Sequence, residues 1–310
     1  MAQPDFCKGV AMVAPSGEQY EIAGGGYRAV VTECGAGLRV LEHEGRPIVS
    51  GYAEDEQAST GRGQLLLPWP NRIKDGRYRF QDRDLQLPLS EPARGHASHG
   101  LIRWAAWTVH EHTGDALTMG YRLMSQPGYP WTLDLTASYA VSDAGLEVTV
   151  SATNRADRPA PFAAGAHPYL RPGPDPLDSW RLDLRAASAL TVDDRLIPNG
   201  SVQVAGTGGD FRDGRAIDGA DLDTTYGDLD RDPDGWAEVR LSGGDGTVVL
   251  RMDEHHKWVQ VYVGPPGRRD ILAVEPMTAP PNAFATGQDL IVIEPEDTVS
   301  VRWGIQATFT

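Results

Sequence analysis

Glu275 and His167 are each set where a side chain can do acid–base work. Glu275 lies in ILAVEPMTAPPNAF, residues 271–284, where an apolar strand runs into the carboxylate and Pro276 is expected to stop it. A Glu at the end of a buried strand loses hydration. That disfavours its ionised form, raises its pKa above about 4.3 and makes it a better base near neutral pH. The same residue would also serve as a plain strand-ending Glu that caps the 277–281 turn or pairs with an arginine. His167 sits in PFAAGAHPYL, residues 161–170, a run with no other ionisable group but the tyrosine, and Pro168 follows at once. It too is expected at a strand end.

Other polar groups fall between apolar runs. In LLLPWPNRIKDGRYRF two prolines bracket Trp69, so an irregular backbone carries an aromatic, Asn71 and Arg72 together. The loop LSEPARGHASHG delivers His96 and His99, and Asp223 lies inside LDTTY within a Gly- and Asp-rich stretch. In WVQVYVG, Val259, Val261 and Val263 point one way while Trp258, Gln260 and Tyr262 point the other. Rings and an amide on one face suit a sugar, whose CH-rich faces pack on rings while its hydroxyls need amide or charged partners. An ordinary strand with a half-exposed aromatic face has the same pattern.

Several chemistries can be weighed on these residues. His110 with His112, expected on one strand face, and the His255–His256 pair bring no third ligand nearby in sequence, so no metal site is expected. A serine hydrolase lacks its GxSxG elbow. A glycoside hydrolase needs two carboxylates, which Asp223 and Glu275 would supply. Opening the ring of a reducing sugar instead needs a base on the anomeric hydroxyl and an acid on the ring oxygen. A carboxylate and an imidazole on opposite sides of C1 would do both, each contributing roughly a hundredfold to ten-thousandfold, with no metal or organic cofactor.

The elements that position these groups read as strands. The chain holds 35 glycines and 23 prolines, which favours turns over long helices. Residues 20–49 read as three strands turning at 24–26, 35–37 and 44–45. The Gly24–Gly26 run is not a phosphate cradle, because neither Lys-Ser/Thr nor a helix follows it. Residues 51–63 read as a surface loop. A meander, LTMGYRLM, WTLDLTASYAV and GLEVTVSATN, alternates with period two, and the last eighty residues resume that pattern. Glu294 and Glu296 are expected in a solvated turn. All-β folds of this length often form one unit, so a single domain over 1–310 is expected.

The net charge of −15 opposes nucleic acid and anionic membranes, which leaves a small molecule as the easier partner. Two cysteines, Cys7 and Cys34, make no disulfide framework, and buried free thiols are expected. No charged leader precedes an apolar run and no segment nears 18 apolar residues, so a cytoplasmic location is expected.

Taken in order, LPWPNRI, SHGLIRW, AGAHPYL, LDTTY, WVQVYVG and AVEPMTAPPNAF resemble the landmarks of the aldose 1-epimerase (galactose mutarotase) family. The resemblance implies an all-β supersandwich, two large antiparallel sheets stacked face to face, with a sugar cleft on the concave face. It implies Glu275 as catalytic base, His167 as catalytic acid and His99 as a second histidine at the ring oxygen or positioning the sugar. Arg72, with Asn71 beside it, would hold sugar hydroxyls, Asp223 would accept from them, and Gln260 would line the cleft. LDTTY departs from the aromatic-rich form usual around the acidic residue. PWPNRI and the SEPARGHASHG loop are similar to a bacterial branch that includes sulfosugar mutarotases. A sulfonated substrate would need a cationic pocket, for which Arg62, Arg72 and Arg103 are candidates. The implied activity is a cofactor-independent mutarotase of a hexose, acting as monomer or homodimer. The alternatives are a hexose-6-phosphate 1-epimerase or a non-catalytic sugar-binding protein of the same fold.

Overall fold

A computed structural model describes residues 13–264 and 269–309, so Cys7 lies outside the described residues. In Leu133–Ser142 and Gly145–Asn154 the apolar residues recur at every second position and are buried, which gives each strand one core face. The two pair antiparallel along their full lengths. Such pairing builds a nine-stranded sheet whose strands lie in the order Thr108–His112, Ala116–Leu123, Leu133–Ser142, Gly145–Asn154, Thr298–Phe309, Gly246–Met252, Ala237–Ser242, Arg181–Leu184 and Arg215–Ala216.

A second sheet of eight strands runs Pro198–Gln203, Ala186–Val192, Asp223–Leu229, Trp258–Tyr262, Leu272–Met277, Gly165–Ala166 and Leu65–Leu66, with Tyr169–Leu170 also paired to Leu272–Met277. Leu135, Tyr139, Val150, Leu250 and Trp303 of the first sheet share one continuous apolar core with Tyr226, Val259, Val261, Leu272 and Val274 of the second. The fold is therefore the expected all-β sandwich of two large antiparallel sheets. Among the described residues helix is confined to Ala283–Thr286 and a 3-10 turn at Leu177–Ser179. Among the described residues no helix is long and apolar enough to cross a membrane.

The amino-terminal strands Gln19–Gly24, Tyr27–Thr32 and Leu38–His43 turn where the glycines predict, with Arg46–Pro47 as a short fourth. Gly25 and Gly26 take φ of 57° and 78°, a left-handed backbone that glycine adopts without steric cost.

Three expectations need correction. Pro276 does not stop its strand, which continues to Met277, so Glu275 is inside the strand and not at its end. The proline is tolerated because it faces a gap in the ladder. Val274 N donates to Pro168 O and Thr278 N to Ala164 O on that side, while between them pairing with the next chain lapses around His167. His110 and His112 do not share a regular face, because the register shifts between Val109 and Glu111. Cys34 is free but only half-buried. Glu294 and Glu296 are exposed as expected, and Glu296 pairs with Arg155.

Candidate active site

Cross-strand register assembles the floor of the site. Thr225, Gln260 and Glu275 lie directly opposite one another on three neighbouring strands. Since Val259 and Val261 take the core face, this row points away from the core. Nε2 of Gln260 donates to Asp223 Oδ1 at 2.6 Å, and its Oε1 accepts from the Thr225 hydroxyl. Both ends of the amide are thus fixed, and with them the orientation of the Asp223 carboxylate.

His167 enters from the next chain at the gap opposite Pro276. Its backbone is tied by His167 N to Gln64 O and Gly63 N to His167 O, each 3.0 Å. The ring stacks on Tyr169 with centroids 5.0 Å apart and meets His99 edge-on at 5.6 Å. His167 Nε2 lies 3.2 Å from Glu275 Oε1, and the two residues are only 5% and 2% exposed. His167 Nδ1 and Glu275 Oε2 are buried with no partner among the described residues.

Such burial decides their protonation. Loss of hydration, reinforced by the nearby Asp223 carboxylate and only opposed by Arg72, holds the Glu275 pKa well above the usual carboxylate range. Burial, with help from the Arg103 and Arg62 cations, pushes His167 down to about 3. Both groups therefore favour their neutral forms. Asp223 is also raised, chiefly by burial.

Loops supply the walls. Asn71 and His99 both have left-handed backbones, φ 52° and 59°, and clasp each other: His99 N donates to Asn71 O at 2.8 Å and Asn71 N to His99 Nδ1 at 3.2 Å. Because Nδ1 accepts, the neutral ring carries its proton on Nε2. Burial first, then the neighbouring His167, hold the His99 pKa well below its ordinary value. Arg72 is gripped by Glu91 through Nε at 2.8 Å and Nη2 at 3.3 Å, and its backbone N donates to Asn71 Oδ1.

Glu275, His167, Asn71, Arg72, His99, Asp223 and Gln260 all line one cleft of about 330 Å³. Of the three arginines considered for an anion, Arg72 is already neutralised by Glu91. Arg62 packs on the Tyr169 ring and opens on a separate cavity beside Ser50 and Gly51. Arg103 lines the cleft and forms no ion pair among the described residues; its guanidinium stands 5.7 Å from the ring of Trp104 at the rim. A larger groove of about 750 Å³ runs over Trp258 and Lys257, but there the Lys257 ammonium and the Trp258 indole N–H already bind Asp289.

Sequence reasoning missed Glu91, Thr225 and Tyr169. Glu91 is one acid in a polar loop and carries no signal. Thr225 follows only from register, whereas Tyr169 lay two residues from His167 and was open to inspection. The acid and base were expected on opposite sides of C1; in the structure their side chains lie 3.2 Å apart.

The two-sheet antiparallel sandwich is the fold of galactose mutarotase-like proteins. A GalM/aldose epimerase homologue from C. elegans superposes with a TM-score of 0.83 at 21% identity, covering 94% of this chain and 99% of that one. A galactose 1-epimerase from Lactobacillus acidophilus gives 0.76 at 20% identity, covering 91% and 92%. The sequence model described as aldose 1-epimerase matches residues 18–306. The chain belongs to the aldose 1-epimerase family. It is 32% identical over 289 residues to the uncharacterized protein YihR of Escherichia coli (strain K12), covering 93% of this chain and 92% of that protein.

Proposed function

We propose that the protein is a cofactor-independent mutarotase that interconverts the anomers of a hexose. The observation that carries this reading is the buried contact between His167 Nε2 and Glu275 Oε1, 3.2 Å, at the floor of the cleft. An anomeric hydroxyl that donates to Glu275 stabilises its carboxylate form, and the carboxyl proton moves to His167. Glu275 then takes the O1 proton as C1=O1 forms. The C1–O5 bond breaks with its electron pair on O5, which takes the proton from His167. Rotation about C1–C2 and closure in reverse deliver the other anomer, and both groups return to their starting states.

Arg72, Asn71, Asp223 and Gln260 are the groups that hold the remaining hydroxyls, and His99 Nε2–H is a further donor. One observation favours a second reading, a hexose-6-phosphate 1-epimerase: the Arg103 guanidinium in the cleft wall has no ion pair among the described residues. Exchange NMR of anomer interconversion over glucose, galactose, glucose 6-phosphate and a 6-sulfonated sugar separates the two. Faster exchange of the neutral sugars supports the first, a rate confined to charged sugars supports the second, and binding without any acceleration refutes both.

A further inference from the structure

A histidine that must present one nitrogen to a partner is usually oriented by a hydrogen bond at the other. His167 has none: Nδ1 is buried without a partner among the described residues. Packing must set the ring instead. One face lies against Tyr169, with interplanar angle 17°. On the Cδ2–Nε2 edge stands Gly61, where an added Cβ would fall 2.5 Å from Cδ2 and 3.0 Å from Nε2. The two contacts are joined, because the Tyr169 hydroxyl donates to Thr60 O at 2.9 Å. Thr60 and Gly61 are consecutive left-handed residues, φ 56° and 76°, which turn the chain against the imidazole. The same loop ends at Gly63, whose N–H holds the His167 carbonyl.

We propose that the 51–63 loop is a positioning element for the reaction, acting through Gly61 and the Tyr169 hydroxyl to hold the imidazole of His167 against Glu275. The inference rests on the mutarotase reading for its kinetic consequences and on geometry alone for its structural ones. Thr60 and Gly61 line the same cleft as Arg72, Asp223 and Gln260 but, among the described residues, make no hydrogen bond to them, so loss of the loop's hold on the ring falls chiefly on kcat and leaves KM nearly unchanged.

Three variants test this. Gly61→Ala drives a methyl into the ring edge and lowers kcat by about a hundredfold, the cost of a misplacement of about 1 Å, with KM within about threefold. Tyr169→Phe keeps the ring stack but frees the loop, and lowers kcat by about tenfold. Gly45→Ala is the control: its φ of 74° carries the same backbone strain, but nothing lies within 4 Å of the added methyl, and kcat stays at the wild-type value. Crystal structures of Gly61→Ala and Tyr169→Phe should show the Nε2–Oε1 separation widened beyond hydrogen-bond distance in the first and the loop displaced in the second.

Wild-type kcat in both variants, or a rise in KM with kcat unchanged, overturns the proposal. So does an unchanged 3.2 Å contact in crystals of Gly61→Ala. If Gly61→Ala fails to fold, Tyr169→Phe decides on its own. A wild-type protein that accelerates no sugar would refute the mutarotase reading, and the crystallographic arm would still decide whether the loop holds the ring.

Discussion

Replacing Glu275 by Gln keeps the size and the hydrogen-bonding capacity of the side chain and removes only its ability to take up a proton. Among the described residues the polar contact of Oε1 is the His167 ring at 3.2 Å and Oε2 has no hydrogen-bond partner, so the substitution breaks no wider polar network. The loss should therefore be that of one general base, about 10²- to 10⁴-fold in kcat, or about 3–5 kcal/mol of transition-state stabilisation. KM should stay within about threefold, because the hydroxyl-holding groups are unchanged. Stability should move the other way. The folded pKa of Glu275 is raised, so its contribution is fully present below the unfolded value of 4.5 and is lost as pH rises through the folded value. At neutral pH the buried carboxyl is thus a liability, and Glu275→Gln should melt higher than the wild type while the two converge below about pH 4.5. Polarimetric relaxation of fresh α-anomer and calorimetry across pH are the assays. Undiminished relaxation would refute the assignment of Glu275, and a lower melting temperature at pH 7 would refute the account of its burial.

His167→Asn should lower kcat by about a hundredfold or more. Because the folded His167 pKa is depressed, wild-type stability falls as pH drops from 6.5 toward about 3, and the variant should show a shallower fall in melts across that range. Glu91→Gln removes one charge from the two-point grip on Arg72 and should raise KM by about tenfold with kcat less affected, read in initial rates, since a hydrogen bond to a charged group contributes about 1.5–3 kcal/mol. Phe284 is fully buried against Trp69 and Tyr78, so Phe284→Ala should cost about 3–5 kcal/mol in urea unfolding and loosen the segment that carries Asn71.

The amino-acid order alone determined the class of fold, because period-two burial in strands such as Leu133–Ser142 is written in local alternation. It also located Glu275 and His167, since a charged or titratable side chain inside an apolar run is conspicuous whatever lies around it. Gln260 was placed on the right face by the same alternation. Only the tertiary structure decided that Glu275 and His167 touch, for their contact depends on two strands meeting through a gap opposite Pro276 that no local pattern records. Long-range pairing likewise chose Glu91 as the partner of Arg72, left Arg103 without an ion pair among the described residues, and brought Gly61 to the edge of the imidazole. The physical reason is that alternation fixes which way a side chain points, whereas what it meets there is set by register between strands and by loops closing over them.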